Sequence, residues 1–159
     1  IEIINILENH GVKTRDNKVL VEIWGSGNPK REFLWVEDLV DACIYIMKNK
    51  NITIQNNKDG AIQCSIKQVN NNVFENNLNG YNSHINIGAG NDLSIAELAH
   101  LIKKIIGFKG EFVFDNSKPD GTMRKCMDIS KLQSIGWTQK VSLENGINKL
   151  FKWYLSQDC

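Results

Sequence analysis

The sequence lacks the features that mark several large classes of protein. Its 159 residues carry a formal net charge of +1, whereas binding to a nucleic-acid backbone normally requires a clustered excess of basic residues. Its longest apolar stretches, such as residues 42–47, are far shorter than the roughly 20 residues that cross a bilayer. The sequence therefore argues against nucleic acid and membranes as partners.

Metal and disulfide chemistry have no recognisable pattern either. No Cys-x-x-Cys pair and no histidine cluster at metal-ligand spacing occurs. The four cysteines are Cys43, Cys64, Cys126 and Cys159. We expect reduced thiols in a cytoplasmic protein without a metal. Cys43 is expected on the buried face of a helix, and Arg124 and Lys125 are expected to lower the pKa of the Cys126 thiol.

A complete dinucleotide fingerprint is also missing. Residues 25–27 and 88–90 are each Gly-x-Gly, but Lys30 and Leu93 stand where the third glycine of Gly-x-Gly-x-x-Gly would lie. The sequence therefore predicts no cofactor-binding residue in this chain.

What the sequence does contain is an alternation of helix and strand patterns, typical of an α/β protein. Residues 1–9 have the pattern of a helix, residues 13–18 that of a loop, and residues 19–24 and 111–114 that of strands. A helix is expected to start near Glu37-Asp38, because Leu39, Ala42, Cys43 and Ile46 recur with the period of one buried face.

Local capping signals place the later helices. Ser94 and Glu97 have the spacing of a capping box, and Gly107 can end the helix that follows. Ser142 is expected to cap a last helix, after a turn that Trp137 anchors in the core.

The loop at residues 117–125 (Ser-Lys-Pro-Asp-Gly-Thr-Met-Arg-Lys) concentrates charged side chains where neither helix nor strand is expected. Pro119 fixes its own φ angle and disfavours helical angles at Lys118, and Asp120-Gly121 favours a tight turn. A rigid loop with charged tips suits a phosphorylated ligand. The alternative interpretation is a solvated basic turn.

This loop is the last of several motifs that follow one another in a particular order. The others are Trp24 with its Gly-rich turn, Arg31-Glu32-Phe33, the helix start at Glu37-Asp38 and a strand pattern at residues 85–90. In this order they resemble the GDP-L-fucose synthase family, a branch of the extended short-chain dehydrogenases/reductases that acts on nucleotide sugars. The resemblance covers residues 19–154.

The resemblance implies a small substrate-binding lobe that completes a Rossmann-type α/β fold, with the cofactor half absent. Family members bind NADPH through a Gly-rich strand-turn-helix and carry a catalytic Tyr-x-x-x-Lys pair. Neither occurs here, since Asn49, Ile85 and Asp158 stand four residues after the three tyrosines. Residues 1–159 are thus expected to be a carboxy-terminal part that is inactive by itself, with no catalytic residue.

For the longer protein the resemblance implies NADPH-dependent epimerisation and reduction of a GDP-4-keto-6-deoxy sugar to GDP-L-fucose or a related product. The implied partners of the chain are the GDP-sugar, the amino-terminal half and, as a homodimer, a second copy. Two points stay open: which sugar is used, hexose or heptose, and whether epimerisation accompanies reduction. The alternative is a non-catalytic nucleotide-sugar-binding or interaction module from a truncated paralogue.

The resemblance assigns substrate contacts to Trp24, Arg31, Asp120 and Lys125. Arg31 offers a planar fork of donors for phosphate oxygens, and Lys125 offers a point charge. Asp120 can accept hydrogen bonds from ribose hydroxyls or guanine N–H groups, and Trp24 can form an apolar wall. The plainer alternatives are a core position for Trp24 and a surface ion pair between Arg31 and Glu32.

The chain departs from the family pattern at several points. Trp35 replaces a histidine, Met123 replaces a proline, and residues 1–9 lack an arginine that would contact phosphate. Residues 48–83 are rich in asparagine, and only residues 61–66 have a strand pattern. Because the family has a shorter connection here, we interpret residues 48–83 as a surface insertion. The alternative is that they carry a partner-binding edge strand.

Overall fold

The computed structural model describes residues 2–16, 18–56, 62–68 and 84–157. These residues fall into two compact units. The first unit comprises residues 1–33, 91–126 and 142–159, and the second comprises residues 34–90 and 127–141. Each helix among the described residues is too short or too polar to cross a membrane.

The elements alternate along the chain. The helices are α1 (Glu2–Asn9), α2 (Val36–Asn49), α3 (Ile95–Ile106), α4 (Ser130–Ser134) and α5 (Leu143–Leu155). The strands are β1 (Val12–Arg15), β2 (Lys18–Trp24), β3 (Lys30–Glu32), β4 (Lys50–Asn56), β5 (Ile62–Gln68), β6 (Asp92–Ser94), β7 (Glu111–Asp115) and β8 (Arg124–Lys125). The expected α/β class is therefore confirmed.

The first unit contains a three-stranded sheet in the order β1-β2-β7. Strand β2 is antiparallel to β1 and parallel to β7, with Trp24 opposite Asp115. The strands expected at residues 19–24 and 111–114 are confirmed.

The loop expected at residues 13–18 is wrong, because Val12–Arg15 form β1. Charged side chains are tolerated on such an edge strand, and Lys13 forms an ion pair with Glu22 on β2.

A second sheet of the first unit has the order β6-β3-β8. Its centre, β3, is antiparallel to β6 and parallel to β8. Each of these strands has only two or three residues. Strands this short show no hydrophobic period, so the sequence did not predict them. The expectation of an irregular loop up to Lys125 is wrong at its end, where Arg124–Lys125 pair with β3.

The helix ends of the first unit follow the local signals. Ser94 Oγ accepts a hydrogen bond from Glu97 N, and Glu97 Oε2 accepts one from Ser94 N, so the capping box is confirmed. Gly107 ends α3 at a φ of 71°. Ser142 caps α5 by accepting a hydrogen bond from Asn145 N, and α5 packs against α3.

The second unit has a small core of Ala42, Leu132 and Trp137. Trp137 is 3% exposed, as its expected role of an apolar anchor requires. Around this core pack half-buried side chains from α2 and the residue two positions before it, from the segments on either side of α4, and from residues 85–87. They include Leu34, Tyr45, Ile46, Ile85, Ile87, Ile129 and Ile135.

Helix α2 begins where it was expected, and its predicted buried face is confirmed at two of its four positions. Ala42 is buried and Ile46 packs on the core, as expected, whereas Leu39 and Cys43 are exposed. Asp38 is buried and Tyr45 is half-buried in addition. Hydrogen bonds explain why the polar side chains of Asp38 and Tyr45 are accepted on the buried side. The Asp38 carboxylate accepts hydrogen bonds from the backbone N–H groups of Lys140 and Val141 at 3.0 and 2.9 Å. Tyr45 donates its hydroxyl hydrogen to the Ile135 carbonyl.

The strand expected at residues 85–90 is also wrong. Within the described part of the chain this segment pairs with no strand, although Ile85 and Ile87 pack on the core. A strand requires a hydrogen-bonded neighbour as well as an apolar pattern.

The asparagine-rich segment includes an antiparallel hairpin of β4 and β5. The short strand expected at residues 61–66 is thus confirmed from Ile62 onward. The remaining residues of the segment, 57–61 and 69–83, lie outside the described residues, and the interpretation of residues 48–83 as an insertion stays a prediction.

Candidate functional site

The parallel pairing of β2 and β7 places two loops at one edge of the sheet. Both strands end there, at Trp24 and Asp115, and they are followed by residues 25–29 and 116–123. In open α/β sheets ligands bind beyond the carboxyl ends of the strands. Trp24, Arg31, Asp120 and Lys125 all belong to this first unit.

The glycine residues of the first loop are required by its geometry. Gly25 and Gly27 have φ angles of 82° and 76°, which side-chain-bearing residues rarely adopt. A Cβ atom on Gly25 would lie 2.4 Å from Asp120 Oδ1, and one on Gly27 would lie 2.4 Å from Phe114 Cε1. The loop can therefore approach β7 and Asp120 only because these side chains are absent.

We expect Gly25→Ala to lower the free energy of unfolding by more than the roughly 1–2 kcal/mol that a left-handed angle costs an alanine. The additional loss would come from displacement of the Asp120 carboxylate. Gly121→Ala is the matched control, since Gly121 has a φ of 68° but open space around its Cβ position. Urea denaturation of both variants measures the difference, and equal losses would contradict this account.

Asp120 holds the glycine loop with both carboxylate oxygens. Oδ1 accepts a hydrogen bond from Ser26 N at 2.6 Å, and Oδ2 accepts one from Ser26 Oγ at 2.7 Å. Both bonds stabilise the ionised carboxylate, so they hold the pKa of Asp120 below its usual range. The bond from the hydroxyl has the larger effect, and the bond from the backbone N–H has the next largest. Sequence reasoning selected Asp120 but missed Ser26, for which the only signal is a polar residue between two glycines.

Trp24 lies on the surface and not in the core. It is 71% exposed, and Lys118 Nζ lies 5.5 Å from the centroid of its ring, within reach of a cation–π interaction. Both side chains line a cleft of about 410 Å³, together with Asn9, His10 and Glu22. The core alternative for Trp24 is therefore wrong. Lys118 was not among the predicted site residues, although it belongs to the same charged loop.

Arg31 and Lys125 are neighbours on adjacent strands. They are directly opposite each other in the parallel pair of β3 and β8, so their side chains share one face of the sheet. Arg31 Nη1 also donates a hydrogen bond to the Lys30 carbonyl at 2.7 Å. Glu32 follows Arg31 in the same strand and projects to the other face, which argues against the alternative of an Arg31–Glu32 surface pair.

The opposite face of this small sheet carries its own ion pair. Arg124 Nε donates to Asp92 Oδ2 at 2.5 Å, and the Asp92 side chain is 8% exposed. Arg124 is thus engaged within the protein, whereas Lys125 beside it is exposed on the face that it shares with Arg31. Two cations are in this way presented side by side.

The amino terminus of α3 does not offer free N–H groups to an anion. Ile95 N donates to the Pro29 carbonyl at 3.0 Å, and Ala96 N donates to the Gly27 carbonyl at 2.9 Å. The next N–H, of Glu97, is taken by the capping box. Anion binding in this region would therefore rest on side-chain cations.

The expected lowering of the Cys126 thiol pKa is wrong. Burial raises the pKa of its thiol, and Glu32 and Asp92 raise it further, against the opposing effect of Arg124.

A metal centre has no support within the described residues, where no cluster of histidine, cysteine and carboxylate side chains is suited to hold an ion.

Comparisons with known proteins agree with these motifs. The NAD dependent epimerase/dehydratase family matches residues 3–58. A putative GDP-L-fucose synthase 2 from Arabidopsis thaliana is 43% identical over 135 residues, which are 85% of this chain and 32% of that protein.

Solved structures give the same result. A GDP-6-OMe-4-keto-L-xylo-heptose reductase from C. jejuni is 39% identical with a TM-score of 0.77, covering 99% of this chain and 38% of that chain. A GDP-mannoheptose C4 reductase from Campylobacter jejuni with NADP bound is 36% identical with a TM-score of 0.69, covering 98% of this chain and 37% of that chain.

These comparisons confirm the resemblance to the GDP-L-fucose synthase family and the relation to Rossmann-type extended short-chain dehydrogenases/reductases. The chain spans about a third of the length of the relatives that it matches.

Proposed function

We propose that this chain, similar to about a third of a GDP-L-fucose synthase, supplies the GDP-sugar-binding part of an NADPH-dependent epimerase/reductase. One observation supports the proposal most directly. An exposed tryptophan and several side-chain cations lie in the first unit, in which the parallel strands β2 and β7 end at the same edge. The longer protein would form GDP-L-fucose or a related GDP-deoxy sugar. The chain alone is expected to be inactive, because the sequence lacks the cofactor fingerprint and the Tyr-x-x-x-Lys pair.

The four site residues have distinct roles in this proposal. Arg31 and Lys125 bind the diphosphate from adjacent strands, and the ring of Trp24 forms a wall of the cleft. Asp120 accepts hydrogen bonds from the nucleoside. Its oxygens already accept bonds from Ser26, but each carboxylate oxygen has two lone pairs and can accept another. Lys118 joins this set, since its ammonium group lies over Trp24.

The second unit supports the proposal of an amino-terminal half as partner. Helix α2 exposes apolar side chains at Val36, Val40 and Met47, the last of which is 81% exposed. Spacings of four and seven residues put them on one side of the helix. We propose that the half holding NADPH covers this side. The homodimer and the cytoplasmic location stay predictions.

The proposed function is tested by calorimetric titration of the full-length protein that contains this chain. We expect GDP to bind more tightly than UDP, and NADPH to bind without displacing GDP. Guanosine and GMP give the controls, because the cations of the proposed diphosphate site should make GDP the tightest of the three. A protein that binds no nucleoside diphosphate, or binds UDP and GDP equally, would refute the proposal.

A further inference from the structure

Ser26 connects two loops that are distant in the sequence. It and Asp120 are 94 positions apart, yet the backbone N–H and the hydroxyl of Ser26 each donate to a different oxygen of the Asp120 carboxylate. Two bonds to two oxygens fix the plane of a carboxylate, which a single bond does not. Ser26 therefore sets the orientation of the Asp120 side chain.

The hydroxyl of Ser26 is itself held in one orientation. Its oxygen accepts a hydrogen bond from Asn28 N at 3.2 Å, which leaves the hydroxyl hydrogen to point toward Asp120 Oδ2. The loop around Ser26 is anchored separately. Gly25 N donates to the Asp115 carbonyl at 2.9 Å, and the carbonyls of Gly27 and Pro29 accept from the first turn of α3.

The Asp120 loop is fixed at its two ends by other contacts. Lys118 N donates to the Asp115 carbonyl at 3.1 Å near its start, and Lys30 N donates to the Met123 carbonyl at 2.7 Å near its end. Between these points the Ser26 bonds join Asp120 to the anchored glycine loop. The position of Asp120 thus depends on a residue that was not assigned to ligand binding.

We propose that Ser26 is a positioning residue for GDP-sugar binding, which acts by holding the Asp120 carboxylate and joining the loops after β2 and β7 into one rim of the site. The inference rests on the proposed function of this site. It assigns Ser26 no contact with the ligand.

The test measures binding by the full-length protein and its Ser26 variants. Ser26→Ala removes one bond to a charged acceptor, so we expect the Kd for GDP to rise about tenfold. Ser26→Thr keeps the hydroxyl and should stay within about twofold of the wild type. Ser26→Cys keeps the side-chain size with a weaker donor, and it replaces the alanine variant if that variant does not fold.

A double-mutant cycle separates positioning from a general loss of structure. In the Asp120→Asn background, Ser26→Ala should change the Kd for GDP far less than in the wild type. The reason is that both substitutions act on the same interaction, the one between Ser26 and Asp120. The Kd for NADPH should stay unchanged in every variant.

Three results would overturn the inference while the proposed function stands. The first is a Kd for GDP in the Ser26→Ala variant that equals that of the wild type. The second is that the effects of Ser26→Ala and Asp120→Asn on this Kd add up. The third is that Ser26→Ala weakens NADPH binding as much as GDP binding. If the wild-type protein itself does not bind GDP, the proposed function fails and the inference fails with it.

Discussion

Replacing Trp137 by alanine is expected to lower the free energy of unfolding by about 3–5 kcal/mol, the usual cost of removing a large aromatic side chain from a core. Trp137 is 3% exposed and packs with Ala42 and Leu132. Its indole N–H donates a 2.8 Å hydrogen bond to Asp41 Oδ2, which the substitution also removes. Since this core is small, little other packing can compensate.

Urea denaturation of the variant, followed by circular dichroism, measures the loss. Trp153 provides a matched control because it is 58% exposed on α5, and Trp153→Ala should change the free energy of unfolding by only about 0.5 kcal/mol. Equal losses from the two substitutions would contradict the placement of Trp137 in the core.

The hydrogen-bond part of this effect should depend on pH. Hydrogen bonds from Lys140 and Trp137 hold the pKa of Asp41 below its usual range, and the bond from Lys140 has the larger effect. A lowered folded-state pKa adds stability above the unfolded-state pKa, and this stability is lost as the pH falls through the folded-state value. Trp137→Phe should therefore show its hydrogen-bond penalty at neutral pH and lose it in strong acid.

Replacing Arg31 by lysine is expected to weaken GDP-sugar binding by about 1–3 kcal/mol, the scale of a lost charge-assisted hydrogen bond. Lysine keeps the charge but cannot present two parallel donors to phosphate oxygens. The loss should be smaller for GMP, which lacks the second phosphate. The Kd for NADPH should stay unchanged, because the cofactor is proposed to bind to the other half.

Calorimetric titration of the full-length variant with GDP-sugar, GDP, GMP and NADPH measures these effects. Lys30→Ala is the control, since Lys30 precedes Arg31 in β3 and projects to the opposite face. An equal loss of GDP affinity in both variants, or a parallel loss of NADPH affinity, would place the diphosphate elsewhere.

The local motifs of the chain identify only part of the candidate site. The ordered motifs led to Trp24, Arg31, Asp120 and Lys125 and to the family resemblance, because each motif is a local pattern. They did not reveal that Ser26 holds Asp120, or that Lys118 lies over Trp24. Both contacts join residues more than 90 positions apart, and no local pattern encodes such a distance.

By itself the sequence determined the features that depend on residues within about four positions of one another. The capping box of α3, its end at Gly107 and the cap of α5 all follow from such bonds. Tertiary structure decided which segments pair as strands and which side of α2 is buried. Residues 13–15 form a strand because β2 lies beside them, whereas residues 85–90 pair with no strand among the described residues. Strand pairing and burial each require a partner from elsewhere in the chain, and only the folded structure supplies it.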